Sequence, residues 1–243
     1  MPQEKEETKH RTLPSIELTP SVSIIIAGVI IAGAIIFANQ HPAPSAVTAA
    51  AANAQGAVAT ANVPVPSASD HIVGSPSAPI VLVEYSDFQC PYCQMIYPSI
   101  KQIVSQSNGQ VAWVMREFPL YQIHPQAMPA ANAAECIAAE LGNTGFWEYA
   151  DAVFNNQSSL NAAYSASLAK QFGANMSLYN SCIASSTYLG KIQTETADAE
   201  SSGGNGTPFT VVINTRTGKQ YPISGALPQA QIQAVITQAQ AGQ

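Results

Sequence analysis

The stretch Val83-Glu84-Tyr85-Ser86-Asp87-Phe88-Gln89-Cys90-Pro91-Tyr92-Cys93 decides how this chain is read. It joins an apolar run, Ile80 to Tyr85, to a segment in which Ile96, Tyr97, Ile100, Ile103 and Val104 recur at helical spacing. A strand running into Cys-x-x-Cys at the start of a helix is the setting of a redox motif. Residues three apart on a helix share a face, so Cys90 and Cys93 can reach the roughly 5.5 Å Cα separation of a disulfide with little backbone movement. Pro91 suits the first helical position, where its missing N–H would be unpaired anyway. Cys90 then lies at the helix start, where free amides and the positive dipole end favour a thiolate that is both nucleophile and good leaving group. Cys93, one turn in, is expected to be less exposed and to act as the resolving thiol. The residues predict thiol–disulfide exchange through this pair, with no other cofactor.

Upstream, the sequence changes character. Ser21 to Ala38 carries no charge, and Ile24 to Ala38 contains only Ile, Ala, Gly, Val and Phe. As a helix it would be about 27 Å long, close to the roughly 30 Å of a bilayer core, which predicts one transmembrane anchor over residues 21–38. Lys5, Lys9 and Arg11 precede it, whereas the next basic residue after it is Lys101. That asymmetry predicts a cytoplasmic segment 1–20 and an extracytoplasmic remainder on a single-pass cell-membrane protein. A cleaved signal peptide is the competing reading, but no small-x-small site directly follows the apolar core. Residues 39–69, rich in Ala, Pro, Ser, Thr and Val, read as a flexible linker. The remaining residues, 70–243, are enough for one well-buried domain.

The formal net charge is −6, and basic residues never cluster with aromatics, so nothing supports a nucleic-acid groove. Four cysteines fit the oxidising compartment that the Lys and Arg asymmetry predicts independently. Cys136 and Cys182 lie in Ala-rich helical stretches, Pro125 to Leu141 and Leu178 to Ser185. A structural disulfide between them is the preferred assignment, with two buried free thiols as the alternative. No metal is expected, because structural zinc sites usually draw their ligands from two close pairs and only Cys90 and Cys93 form one.

Within the domain the pattern is an interrupted α/β one. Ile80 to Tyr85 and Val111 to Phe118 are predicted strands, separated by a helix from Pro91 to about Ser107 that ends at Asn108-Gly109. A helical block follows at about 124–201, with breaks near Gly142, Asn155, Gly173 and Ser185-Ser186. Phe209 to Asn214 and Tyr221 to Ile223 then flank Thr215-Arg216-Thr217-Gly218 as a hairpin, and Pro228 to Ala239 is a closing helix.

This order, with Phe118-Pro119-Leu120, His124-Pro125, Phe146-Trp147-Glu148 and Gly206-Thr207-Pro208-Phe209 beside the opening stretch, resembles the DsbA-like thioredoxin-fold proteins over residues 70–243. The resemblance implies an α/β thioredoxin fold with an inserted helical domain, and catalysis by Cys90 and Cys93. It also implies a cis peptide bond before Pro208 beside the disulfide, which leaves Thr207 backbone groups to pair with an extended substrate; an ordinary trans proline at a strand entry is the alternative. Pro91 and Tyr92 are read as substrate-facing, with a solvent-facing helix residue as the alternative for Tyr92. Glu84 is similar to the family's buried acidic residue, with a raised pKa and a role in moving the Cys93 proton; a solvent-facing strand residue is the alternative. Asp87 is read as a turn-ordering residue and His124 as structural.

Tyr92 departs from the His that the family's strong oxidants carry there, and potentials of such relatives span roughly −120 to −230 mV. The membrane setting favours an oxidase that accepts electrons from unfolded or reduced proteins and passes them to a quinone-linked membrane partner of the DsbB or vitamin K epoxide reductase-like type. A reductase or isomerase of the same fold, and a membrane-tethered binding module with only structural cysteines, are the other readings.

Overall fold

The computed structural model describes residues 61–242. In chain order the elements are β1 (His71–Val73), β2 (Ile80–Ser86), α1 (Pro91–Gln106), β3 (Val111–Glu117), α2 (Ala127–Asn155), α3 (Ala162–Phe172), α4 (Met176–Ser185), α5 (Leu189–Ser201), β4 (Phe209–Asn214), β5 (Gln220–Ser224) and α6 (Gln229–Ala241). A single 3₁₀ turn, Gln157–Ser159, lies between α2 and α3.

The strands form one sheet in the order β1-β3-β2-β4-β5. β2 and β3 are parallel, joined through α1, with Val83 beside Val114. β4 runs antiparallel on the other side of β2, placing Val211 beside Val83, and pairs with β5 as the expected hairpin. A central strand flanked on both faces needs apolar side chains on both, which is why Ile80 to Tyr85 reads as a run rather than an alternation. Ile80 and Leu82 pack with Trp113, Met115 and the apolar stripe of α1, including Ile96, Ile100 and Ile103. Val81, Val83 and Tyr85 face the other way, against Val114, Val211 and Ala199 of α5.

The helical insertion is α2 through α5, close to its expected limits. Its breaks have local causes. Gly142 has φ 69° and ψ −160°, a conformation essentially reserved for glycine, and it divides the Ala127–Asn155 stretch into two helical halves. Gly173, at φ 91°, caps α3, and Ser186 ends α4 in the left-handed region. Cys136 and Cys182 form a disulfide with Cα atoms 5.9 Å apart, tying α2 to α4.

Two findings extend the sequence-based expectation. β1, an edge strand of three residues, is too short to give a periodic signal; its hydrogen bonds to β3 create it. Residues 61–69, expected as the end of the linker, are seated on the domain. Ala61 and Val63 are buried against the second face of the sheet, and Gln220 makes two hydrogen bonds to the Val63 backbone. Arg116 completes this strap, donating to both Asp70 carboxylate oxygens, to the Pro64 carbonyl and to the Tyr85 hydroxyl. The expected cytoplasmic segment and anchor, 1–20 and 21–38, lie outside the described residues. Among the described residues no helix is long and apolar enough to cross a membrane.

The Cys136–Cys182 bridge closes a sequence separation of 46 residues. Replacing both cysteines by alanine is expected to lower stability by about 2–4 kcal/mol, and the melting temperature by roughly 5–15 °C, as followed by thermal and urea unfolding. A loss below about 0.5 kcal/mol would mean that packing alone holds α2 and α4 together.

Candidate active site

β2 ends at Ser86 and hands the chain to a tight turn that delivers Cys90 to the N-cap of α1, with Pro91 in the first turn as expected. Asp87 builds this turn. Its backbone carbonyl accepts from Cys90 N–H at 3.0 Å, and its Oδ1 accepts from Gln89 N–H at 2.7 Å. Its Oδ2 accepts from Leu120 N–H and lies 2.8 Å from His124 Nδ1. The turn residue and the structural histidine of the sequence analysis are therefore partners. Gln157 Nε2 donates to the carbonyls of Phe88 and Cys90, and Gln89 Oε1 accepts from Gln126 N–H.

Cys90 and Cys93 are both free thiols. Cys93 is fully enclosed, as expected of the less exposed thiol, and Cys90 is itself only 2% exposed. The physical reason is the segment before β4: Cys90 Sγ donates to the Thr207 carbonyl at 3.4 Å, and the Thr207–Pro208 peptide is cis. The predicted disulfide pair and the Thr-Pro segment thus come together from 117 residues apart.

The two sulfurs differ sharply. A hydrogen bond from the Cys93 thiol, helped by the Thr207 side-chain hydroxyl and by the N–H groups of Cys93 and Tyr92, brings the Cys90 pKa down to about 6 against the opposing effect of burial. Burial, the Cys90 sulfur and the Glu84 carboxyl push Cys93 well above the ordinary thiol range. One sulfur is poised as thiolate and the other as the thiol that holds its proton.

Glu84 is fully buried on the face of β2 that carries Leu82, beneath Cys93. Burial raises its pKa to about 7, opposed by the Ser86 hydroxyl and by Trp113 Nε1, which donates to Oε2 at 3.0 Å. The solvent-facing alternative is excluded. Pro91 is exposed and Tyr92 is 59% exposed, so both are open to a docking chain. Among the described residues no group of three or more His, Cys, Asp and Glu is placed to hold a metal ion. Gln157 and Gln126 carry no sequence signal for their part in the site, since a lone amide reaching a carbonyl or offering its backbone leaves no pattern of spacing.

The sequence profile of the family described as thioredoxin matches residues 67–237. The chain belongs to the thioredoxin family. Among solved structures, this thioredoxin-family chain is similar to DsbA2 of Pseudomonas aeruginosa, at 24% identity and TM-score 0.59, over 71% of this chain and 94% of that one. It is similar to α-DsbA1 of Wolbachia pipientis, at 22% identity and TM-score 0.61, over 72% and 92%. It is also similar to oxidised BdbD of Bacillus subtilis, at 18% identity and TM-score 0.62, over 74% and 97%. These likenesses establish a DsbA-like thioredoxin fold. Curated relatives include the Na(+)/H(+) antiporters NhaA 3 of Salinispora tropica and NhaA 1 of Mycolicibacterium gilvum. They are 34% and 31% identical over 66% and 65% of this chain. The thioredoxin-family chain spans about a quarter of the length of those relatives.

Two titrations test the site. With Cys90 ionising near pH 6 and Cys93 holding its proton, the two-electron reduction takes up one proton above that pH and two below it. The reduction potential should therefore fall by about 30 mV per pH unit above pH 6 and about 59 mV below it, with thiolate absorbance rising at the same break. A single slope from pH 5 to 8 would refute the thiolate. For Glu84, the unfolded chain releases its proton near 4.5 and the folded one near 7, so the native state binds more protons between them and stability falls as pH rises through that window. Glu84→Gln is expected to remove about 3 kcal/mol of that fall, read from urea unfolding at pH 4.5 and pH 8.

Proposed function

We propose that this protein is an extracytoplasmic thiol-disulfide oxidoreductase that introduces disulfides into secreted or surface proteins through Cys90 and Cys93. The observation that carries the reading is the unequal sulfur pair, a Cys90 held as thiolate at the start of α1 against a Cys93 that keeps its proton.

In the oxidised form a substrate thiolate attacks Cys90 Sγ. The Cys90–Cys93 bond breaks, a mixed disulfide forms, and Cys93 leaves with the electron pair and takes up a proton. Glu84, near neutrality and beside Cys93, is the group that supplies that proton in the forward step and accepts it on reoxidation. A second substrate thiolate then attacks the substrate sulfur of the mixed disulfide, releasing the oxidised substrate and the Cys90 thiolate. The cis peptide before Pro208 sets Thr207 beside Cys90, where its backbone can pair with the substrate segment that carries the attacking sulfur.

Direction follows from the same asymmetry. Whatever stabilises the Cys90 thiolate stabilises the reduced protein and makes the disulfide the stronger oxidant. The Lys and Arg asymmetry about residues 21–38 supports an anchor with the domain outside the cytoplasm, and such a domain needs a membrane quinone-linked partner to restore its disulfide. One observation favours a reductase or isomerase instead. Tyr92 offers the sulfur no positive charge, so the potential, measured against glutathione, separates the directions.

The deciding experiment refolds a reduced, unfolded test protein with stoichiometric oxidised protein, comparing wild type with Cys90→Ser. Wild type is expected to restore native disulfides at least about tenfold faster than Cys90→Ser, and each turnover should leave one reduced Cys90–Cys93 pair. Equal recovery rates would remove the oxidase reading.

A further inference from the structure

Glu84 and Ser86, two apart on β2, share the face that carries Leu82, and Ser86 lies roughly 7 Å further along the strand, at its end nearest the turn to Cys90. Ser86 is buried and its backbone is fixed. It pairs with Glu117 of β3, and its carbonyl accepts from Phe118 N–H at 2.8 Å. Its hydroxyl is not fixed: Ser86 Oγ and Glu84 Oε1 are both enclosed, and neither is committed to a hydrogen-bond partner. Two uncommitted polar atoms at neighbouring places on one strand face are uncommon in a core, where such atoms are normally paired.

The proton of Glu84 has a definite place. Trp113 Nε1 donates to Oε2 at 3.0 Å, so Oε2 is an acceptor and the neutral carboxyl carries its proton on Oε1, the uncommitted oxygen. Glu84 acts on the Cys93 sulfur through its charge, whereas the Ser86 hydroxyl is near enough to both groups to favour the ionised form of each. A hydroxyl has one donor and two acceptor lone pairs, so it can accept from Oε1–H while donating to Cys93 Sγ. Glu117, the register partner of Ser86, has Glu135, Glu195, Lys191 and Asp87 as its charged neighbours and belongs to a different cluster.

We propose that Ser86 is the relay through which Glu84 and Cys93 exchange a proton. This inference rests on the oxidoreductase reading and deepens it. When a substrate thiolate breaks the Cys90–Cys93 bond, Cys93 leaves with the electron pair. Ser86 Oγ gives its proton to Cys93 Sγ and takes the proton of Glu84 Oε1 in exchange. One S–H bond forms, the Glu84 O–H bond breaks, and the Ser86 hydroxyl is restored, leaving a Cys93 thiol and a Glu84 carboxylate. Reoxidation runs the same two transfers backwards, and the electrons stay with the sulfurs throughout.

The test follows reduction of the full-length oxidised protein by dithiothreitol in a stopped-flow fluorimeter, below the Glu84 pKa of about 7 so that the carboxyl holds its proton. Ser86→Ala removes an uncommitted hydroxyl, so the fold should tolerate it. It is expected to slow reduction on the order of a hundredfold, the low end of what a positioned general acid supplies. In a Glu84→Gln background the same change should alter the rate by less than about twofold, because the proton it would carry is already gone. Equal slowing by Ser86→Ala in both backgrounds, or none in either, would overturn the relay. Absence of exchange between dithiothreitol and the wild type would sink the oxidoreductase reading instead. The relay is then judged by the infrared band of the protonated Glu84 carboxyl, identified by its loss in Glu84→Gln: a shift in Ser86→Ala upholds the contact between Oε1–H and the hydroxyl, and an unmoved band overturns it.

Discussion

The rest of the molecule depends on one negative charge held at the mouth of a helix. Placed there, the Cys90 sulfur meets the amides of Tyr92 and Cys93 and the Cys93 thiol, all of which favour its ionised form. The same burial that would raise an isolated thiol is outweighed, because charge-assisted hydrogen bonds are about twice as strong as neutral ones and several converge on a single atom. The architecture serves that convergence. β2 must end at Ser86 for the turn to set Cys90 at the N-cap, and β4 must lie beside β2 for Thr207 to reach the sulfur.

The second sulfur shows why a carboxyl sits in the core. Enclosed among apolar side chains, Cys93 is shielded from water, and the proposed exchange requires its proton to move. Glu84 lies beneath it with a pKa near neutrality, set by burial, at the cost to folding that an ionised group in the core imposes. An apolar residue at this place in β2 would make a more stable strand and, on the proposed mechanism, leave the Cys93 proton without a carrier. The conflict between strand and site is the usual signature of a functional position.

Much of this was legible in the residues. The β2 run, the spacing of α1, the hairpin about Thr215 to Gly218 and the breaks at Gly142 and Gly173 follow from periodicity and turn chemistry, which are local. Cys136 and Cys182 form the disulfide that their helical stretches suggest, although the sequence alone leaves free thiols open. What sequence could not give is non-local and polar. β1 exists because β3 offers it hydrogen bonds, and the strap at residues 61–69 because Arg116 and Gln220 reach it. The buried array of His71, Glu135, Lys191 and Glu195 draws on three elements and has no spacing in the chain. The cover over the Cys90 sulfur is of the same non-local kind, since it comes from a residue 117 positions away.

The polar contacts also explain why the insertion is part of the site and not an appendage. The Cys136–Cys182 bridge joins two helices of the insertion to each other and not to the sheet. Beyond packing, that coupling is carried by His71 to Glu135, by Ile72 to Asn143 and by Glu117 to Glu195 at the sheet, and by contacts at the turn: Asp87 to Leu120 and His124, Gln89 to Gln126, and Gln157 to the carbonyls of Phe88 and Cys90. Each neutral contact is worth only about 0.5–1.5 kcal/mol, so individually none fixes the insertion. Together those at the turn grip the four residues 87–90 from three directions, and the donors from Gln157 end on the carbonyl of Cys90 itself. The helical block thus does for position what α1 does for charge.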